Sequence, residues 1–213
     1  MTNSLRWTVA IAAVVAALIV ALALELRDAP STGSPSSPDT PAARVHRDAD
    51  TPAALVEPRR RADLRPCPTG TGQPGPTALR GVVVECAADG LPVEVAGALA
   101  GRPVVLNLWA YWCGPCQDEL PAMAEYQRRV GPDVLVLTVH QDENETAGLM
   151  QLARLGVHLP TLQDGQRRIA AALRVPNVMP ATVVLTEDGS VAKILPRPFA
   201  SADEIAAAVG DLI

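Results

Sequence analysis

Cys113 and Cys116 stand with only Gly114 and Pro115 between them in the run Trp112-Cys113-Gly114-Pro115-Cys116. They follow directly on the apolar stretch Val104-Val105-Leu106-Asn107-Leu108-Trp109-Ala110. Two thiols at this spacing, where a buried strand hands over to a helix, can close into a small disulfide ring and reopen. The start of a helix offers unpaired N–H groups and a partial positive charge, which favour the thiolate of the first cysteine. The thiolate is the form that attacks disulfides. Cys113 is therefore assigned as the nucleophile, and Cys116, one turn further in, as the thiol that resolves the mixed disulfide. Pro115 lies where a helix has no use for its missing N–H. Trp112, Gly114 and Pro115 surround the sulfur on the side a substrate would approach; Trp112 either shields the thiolate or simply packs at the rim. A lone pair of this kind can be half of a zinc site, but no second such pair exists, and Gln117 stands where a c-type haem attachment would need histidine. No metal and no cofactor is expected.

Cys67, in Arg65-Pro66-Cys67-Pro68, and Cys86 form a second pair. A bridge between them would close a loop of about 20 residues and contribute roughly 3 kcal/mol in the chain-entropy model. A structural disulfide pinning an N-terminal hairpin is the expectation. A second redox pair passing electrons to Cys113, or two free thiols, are the other readings.

The elements that must hold these cysteines can be read from periodicity and turn residues. Val82–Cys86 and Leu91–Val95 read as short strands about the turn Ala87-Ala88-Asp89-Gly90. The segment 102–110 is a continuous apolar strand, as a sheet centre requires. A helix is expected over Gly114–Val130, with Pro121 as a kink. Then follow a strand over 134–139, a helix over 143–155 stopped by Gly156, a strand over 159–163 and a helix over 166–173. A hairpin over 181–195 turns at Glu187-Asp188-Gly189, and Ser201 with Glu204 makes a capping box for a last helix to about Leu212. The order implies an α/β domain with a central mixed sheet covered on both faces. His140 ends a strand where functional loops gather, but is read as a structural histidine.

The chain has 213 residues, 48% of them hydrophobic, and a net charge of −5, which argues against a nucleic-acid partner. Residues 7–24 carry no charge and only Thr8 is polar. This suits a transmembrane helix or signal anchor over 7–26, with residues 1–6 cytoplasmic and the remainder outside. Cleavage after Ala21-Leu22-Ala23 is the rival reading. From Arg27 to Ala62, Pro, Ser, Thr, Ala and Arg dominate, and the segment is expected to be a disordered linker reaching roughly 30–36 Å. Within it, Arg59-Arg60-Arg61 reads as a solvated charge run or as a contact to anionic head groups. The folded domain is expected over 63–213.

The stretch from Val105 to Pro121, with Asp89-Gly90, Leu99-Ala100-Gly101 and Val178-Met179-Pro180-Ala181-Thr182, resembles the thioredoxin-like proteins of the TlpA/ResA/CcmG group. The resemblance runs from about Gly81 to Ile213. It implies a thioredoxin-like fold and a membrane-anchored, extracytoplasmic thiol-disulfide oxidoreductase. It implies that Pro180 is a cis-proline packed opposite the dithiol, exposing Met179 backbone groups with which an extended substrate pairs. It implies a role for Glu119, one turn after Cys116, in thiol proton transfer; by residue type alone Glu119 could equally be a solvated helix glutamate. Asn107 stands where cytosolic thioredoxins carry a buried acid. The implied partners are proteins bearing disulfides or thiols, and an integral-membrane electron donor of the CcdA/DsbD type.

Gly-Pro between the cysteines resembles the reducing thioredoxins, which favours a protein-disulfide reductase, with cytochrome c maturation as one setting. A disulfide-donating oxidase for exported proteins remains open. A thiol peroxidase fits less well, since Tyr111 and Trp112 occupy the approach to Cys113. A non-enzymatic binding module is a further reading, and it predicts that Cys113→Ser leaves partner binding intact.

Overall fold

The computed structural model describes residues 50–70 and 72–210, together with Ala16. The chain divides into two compact units, Met1–Arg44 and Val45–Ile213, and all the described residues but Ala16 belong to the second. The expected membrane-spanning segment apart from Ala16, the linker up to residue 49 and the end of the last helix lie outside the described residues. Among the described residues no helix is long and apolar enough to cross a membrane.

The chain order is α1 (Pro52–Ala62), a 3-10 turn (Thr77–Leu79), β1 (Val83–Cys86), β2 (Pro92–Glu94), α2 (Val95–Ala98), β3 (Val104–Trp109), α3 (Gly114–Val130), β4 (Leu135–His140), α4 (Glu145–Leu155), β5 (Thr161–Gln163), α5 (Arg168–Ala172), β6 (Ala181–Leu185), β7 (Val191–Leu195) and α6 (Ala202–Val209). The strands form one mixed sheet in the order β2-β1-β5-β4-β3-β6-β7. β3 lies in its interior, parallel to β4 and antiparallel to β6, with Trp109 opposite His140 and Leu108 opposite Ala181. The N-terminal hairpin is part of this sheet, because β1 pairs antiparallel with β5.

The unbroken hydrophobicity of β3 follows from its position, since every one of its residues is buried. Val104, Leu106 and Leu108 face a core with Leu79, Val95, Leu99, Ile169 and Leu173. Val105 and Trp109 face the other core, with Leu120, Met123, Phe199 and Ile205. Each fully buried leucine of this kind contributes about 1.5–3 kcal/mol by removal from water. α3 packs on the second face, and Gln127 ties its end to β4. The Gln127 amide donates to the carbonyls of Gly131 (2.6 Å) and Val134 (3.0 Å) and accepts from Val136 N–H (2.7 Å). The strand that carries the dithiol and the helix that starts at it are thus fixed from both sides.

Three expectations need correction. The disordered linker expected over 27–62 does not extend to residue 62, because Pro52–Ala62 is helical. Thr51 caps this helix by accepting from Ala54 N–H, and Pro52 occupies its first turn. Polar anchors more than an apolar stripe hold it: Asp50 accepts from the N–H and hydroxyl of Thr146 (2.9 and 2.7 Å), and Arg59 pairs with the buried Glu145 (2.9 Å). Leu55 and Ala62 are its only buried residues, so no helical period shows in the sequence. The arginine run is solvated only in part: Arg60 and Arg61 are exposed and bond Glu57, whereas Arg59 is turned inward to Glu145. Lastly, the strand expected over Leu91–Val95 gives way to helix α2 at Val95, because the Glu94 carboxylate accepts from Gly97 N–H and caps a helix there.

Candidate active site

The backbone of β3 ends at Trp109, and Cys113 N–H donates to the Ala110 carbonyl at 3.0 Å, closing the turn that leads into α3. Cys113 is the N-cap of α3, with extended backbone, and Pro115 lies in the first turn. No acidic residue lies in that turn to neutralise the helix's positive end. Cys113 and Cys116 are joined as a disulfide with their Cα atoms 5.3 Å apart. Cys113 is 5% exposed and Cys116 is sealed at 0%. An incoming thiol can therefore meet only the first sulfur. Gly114 and Pro115 are exposed, and a Cβ at Gly114 would meet nothing within 4 Å, so the approach is open. Trp112 is 56% exposed, and its indole N–H donates to Asp142 Oδ2 at 2.9 Å, which fixes the ring beside the dithiol.

Glu119 lies one turn beyond Cys116 and is completely buried, not solvated. Burial pushes its pKa up to about 7, against the opposing pull of the Asn107 amide, the Phe199 backbone and Arg197. Asn107 Nδ2 donates to Glu119 Oε2 at 2.7 Å, while Oε1 has no hydrogen-bond partner among the described residues. Asn107 on β3 thus holds a carboxyl that can carry a proton near neutral pH.

The Met179–Pro180 bond is cis. Pro180 is buried and precedes Ala181, which pairs with Leu108 of β3, so Met179 lies at the end of β3 from which Cys113 follows. Met179 packs against the core cluster that contains Cys113 and Cys116. Its backbone N–H and carbonyl make no hydrogen bond among the described residues, and Val178 beside it is 38% exposed. An extended peptide could pair there as an added strand.

Cys67 and Cys86 are also joined, with Cα atoms 5.8 Å apart, so the free-thiol reading does not hold. The bridge ties the segment after α1 to the end of β1. Cys67 packs on the core face formed with Leu106 and Leu108, and the dithiol packs on the opposite face. The sheet lies between them, which speaks against direct electron transfer. His140 is structural in its contacts. Its Nδ1 bonds Gln163 Oε1 at 2.8 Å, its ring lies 4.8 Å from that of Trp109, and burial holds its pKa below the usual histidine range. A cleft of about 470 Å³ lined by Arg65, Arg102 and Arg128 lies at the other end of β3 and β4, away from the dithiol.

Asp142 is a site residue that sequence reasoning missed. The only signal was its place just past the apolar strand that ends at His140.

The geometry has close parallels. A secreted Mycobacterium tuberculosis disulfide oxidoreductase homologous to E. coli DsbE superposes with a TM-score of 0.53 at 25% identity, covering 62% of this chain and 96% of that one. M. tuberculosis DsbF shares the fold, with a TM-score of 0.57 at 24% identity over 65% of this chain and 99% of its own. In sequence, the chain is similar to the thiol-disulfide oxidoreductase ResA of Bacillus subtilis, 32% identical over 108 residues, which are 50% of this chain and 59% of that protein. ResA of Geobacillus thermodenitrificans is 31% identical over 99 residues, 45% of this chain and 55% of its own. The chain thus spans less than two thirds of the ResA proteins it matches. Residues 68–209, well over half of the sequence and the whole of the site just described, match the family profile Redoxin, and the chain belongs to that family.

Proposed function

We propose that this chain is a thiol-disulfide oxidoreductase acting on proteins, in the reducing direction. The observation that carries the reading is a cysteine at a helix N-terminus, 5% exposed beside the exposed Gly114 and Pro115, joined to a sealed one a turn behind. In the reduced protein, the Cys113 thiolate attacks a substrate disulfide; a mixed disulfide forms and one substrate thiolate leaves. Cys116 then attacks Cys113 Sγ. The protein disulfide closes, and the second substrate thiolate departs with both electrons. Cys116 must lose its proton for this step, and Glu119, buried one turn away with a pKa of about 7, is the group placed to accept it. The exposed Trp112, Gly114 and Pro115 about Cys113, and a Met179 backbone without a hydrogen bond among the described residues, suit an extended polypeptide better than a small molecule.

The reading extends to an extracytoplasmic domain held to the membrane by residues 7–26, re-reduced by an integral-membrane donor of the CcdA/DsbD type, with cytochrome c maturation as a setting. The uncharged run 7–24 and the similarity to ResA support it. The test is reduction of insulin disulfides by the full chain with dithiothreitol as electron source. Acceleration that Cys113→Ser abolishes supports the reading; a rate equal to that of dithiothreitol alone rejects it.

A further inference from the structure

Arg167 sits half-buried at the start of α5 with φ +56°, a left-handed conformation that is uncommon and mildly strained for a residue other than glycine. The turn beneath it is firmly built. Arg167 N–H donates to the Asp164 carbonyl at 2.9 Å, and the buried Asp164 carboxylate accepts from the N–H groups of Arg168 (2.9 Å) and Ile169 (2.8 Å). From this fixed base the guanidinium reaches two loops at once. Its Nε donates to Gln141 Oε1 at 3.1 Å, and its Nη1 donates to Asn177 Oδ1. Gln141 is buried, and its own N–H donates to the Trp109 carbonyl at 2.8 Å, at the end of the strand from which Cys113 follows. Asn177 is two residues before Met179, whose backbone is free to pair. The planar fork of arginine suits such a double contact, and no shorter or single-headed cation replaces it fully.

We propose that Arg167 is a positioning residue: it clamps the 177–179 loop to Gln141 and so sets the alignment of an extended peptide disulfide beside Cys113. The inference rests on the thiol-disulfide reading above. It explains why a strained backbone is kept at a residue that touches neither sulfur. A loosened loop still offers the same backbone groups but holds them less well aligned, so binding of a peptide suffers more than chemistry at sulfur.

The test compares the full chain with Arg167→Asn and Arg167→Lys on two substrates: an extended octapeptide carrying a mixed disulfide, and hydroxyethyl disulfide, which has no peptide backbone. Asparagine tolerates the left-handed conformation and is too short to bridge the loops. The expected result for Arg167→Asn is a KM for the peptide raised about tenfold, a kcat within twofold, and a melting temperature not lowered. Arg167→Lys should fall between it and the parent, and neither variant should slow hydroxyethyl disulfide more than twofold. An unchanged peptide KM would overturn the clamp, as would equal losses on both substrates with a lowered melting temperature. A parent chain inert toward both substrates would overturn the clamp together with the reading it rests on, and so is told apart from failure of the clamp alone.

Discussion

Replacing Glu119 by glutamine should make the folded protein more stable, and only at higher pH. The carboxyl is completely buried, and its pKa rises from 4.5 to about 7. Below pH 4.5 the group is protonated in both folded and unfolded chains, and burial carries no charge penalty. Between 4.5 and 7 the unfolded chain releases the proton while the folded one keeps it, so stability falls as pH rises through this window. The loss levels off above about pH 7, at on the order of 3 kcal/mol for a shift of this size. Glutamine mimics the protonated acid, and its amide oxygen can still accept from Asn107. The variant should match the parent at pH 4 and melt roughly 5–10 °C higher at pH 8. Calorimetry of the oxidised proteins across that range measures the difference. A difference that stays flat with pH would refute the argument, because it would mean that the carboxyl ionises normally in the fold. The same variant should resolve mixed disulfides on the order of 100-fold more slowly at pH 7, having lost the proton acceptor.

Arg59→Met removes the cation beside the buried Glu145 and should cost about 3 kcal/mol, read as a shift in urea midpoint; no shift would mean that α1 is not part of the folded unit. Replacing Cys67 and Cys86 together by alanine should lower stability by roughly 3 kcal/mol while leaving disulfide reduction within twofold. Loss of turnover in a protein that remains folded would instead make that pair a redox partner of Cys113.

The dithiol, its helix and the buried strand before it were legible because each depends on residues close in sequence. The helix expected over Gly114–Val130 is the helix observed. A strand buried on both faces has to be apolar throughout, and Val104–Trp109 shows it. Helix α1 was not legible, because its hold on the domain is electrostatic and long-range: Arg59 meets Glu145, and Asp50 meets Thr146. A stretch rich in Pro and Arg with two buried residues looks like a linker unless those partners are known. The burial of Glu119 was undecided for a similar reason. Its place on the helix is local, but its cover by Asn107 from the strand and by the segment near Phe199 comes only with the fold. Asp142 and Arg167 act across loops, so composition and spacing could not single them out.

The central claim is that the first turn of α3 holds Cys113 as a thiolate. The most direct measurement is the rate of iodoacetamide alkylation of Cys113 against pH, in the reduced chain with Cys116→Ser. The account predicts a single titration with its midpoint clearly below the value of about 8.5 for free cysteine. A midpoint at or above that value would contradict it.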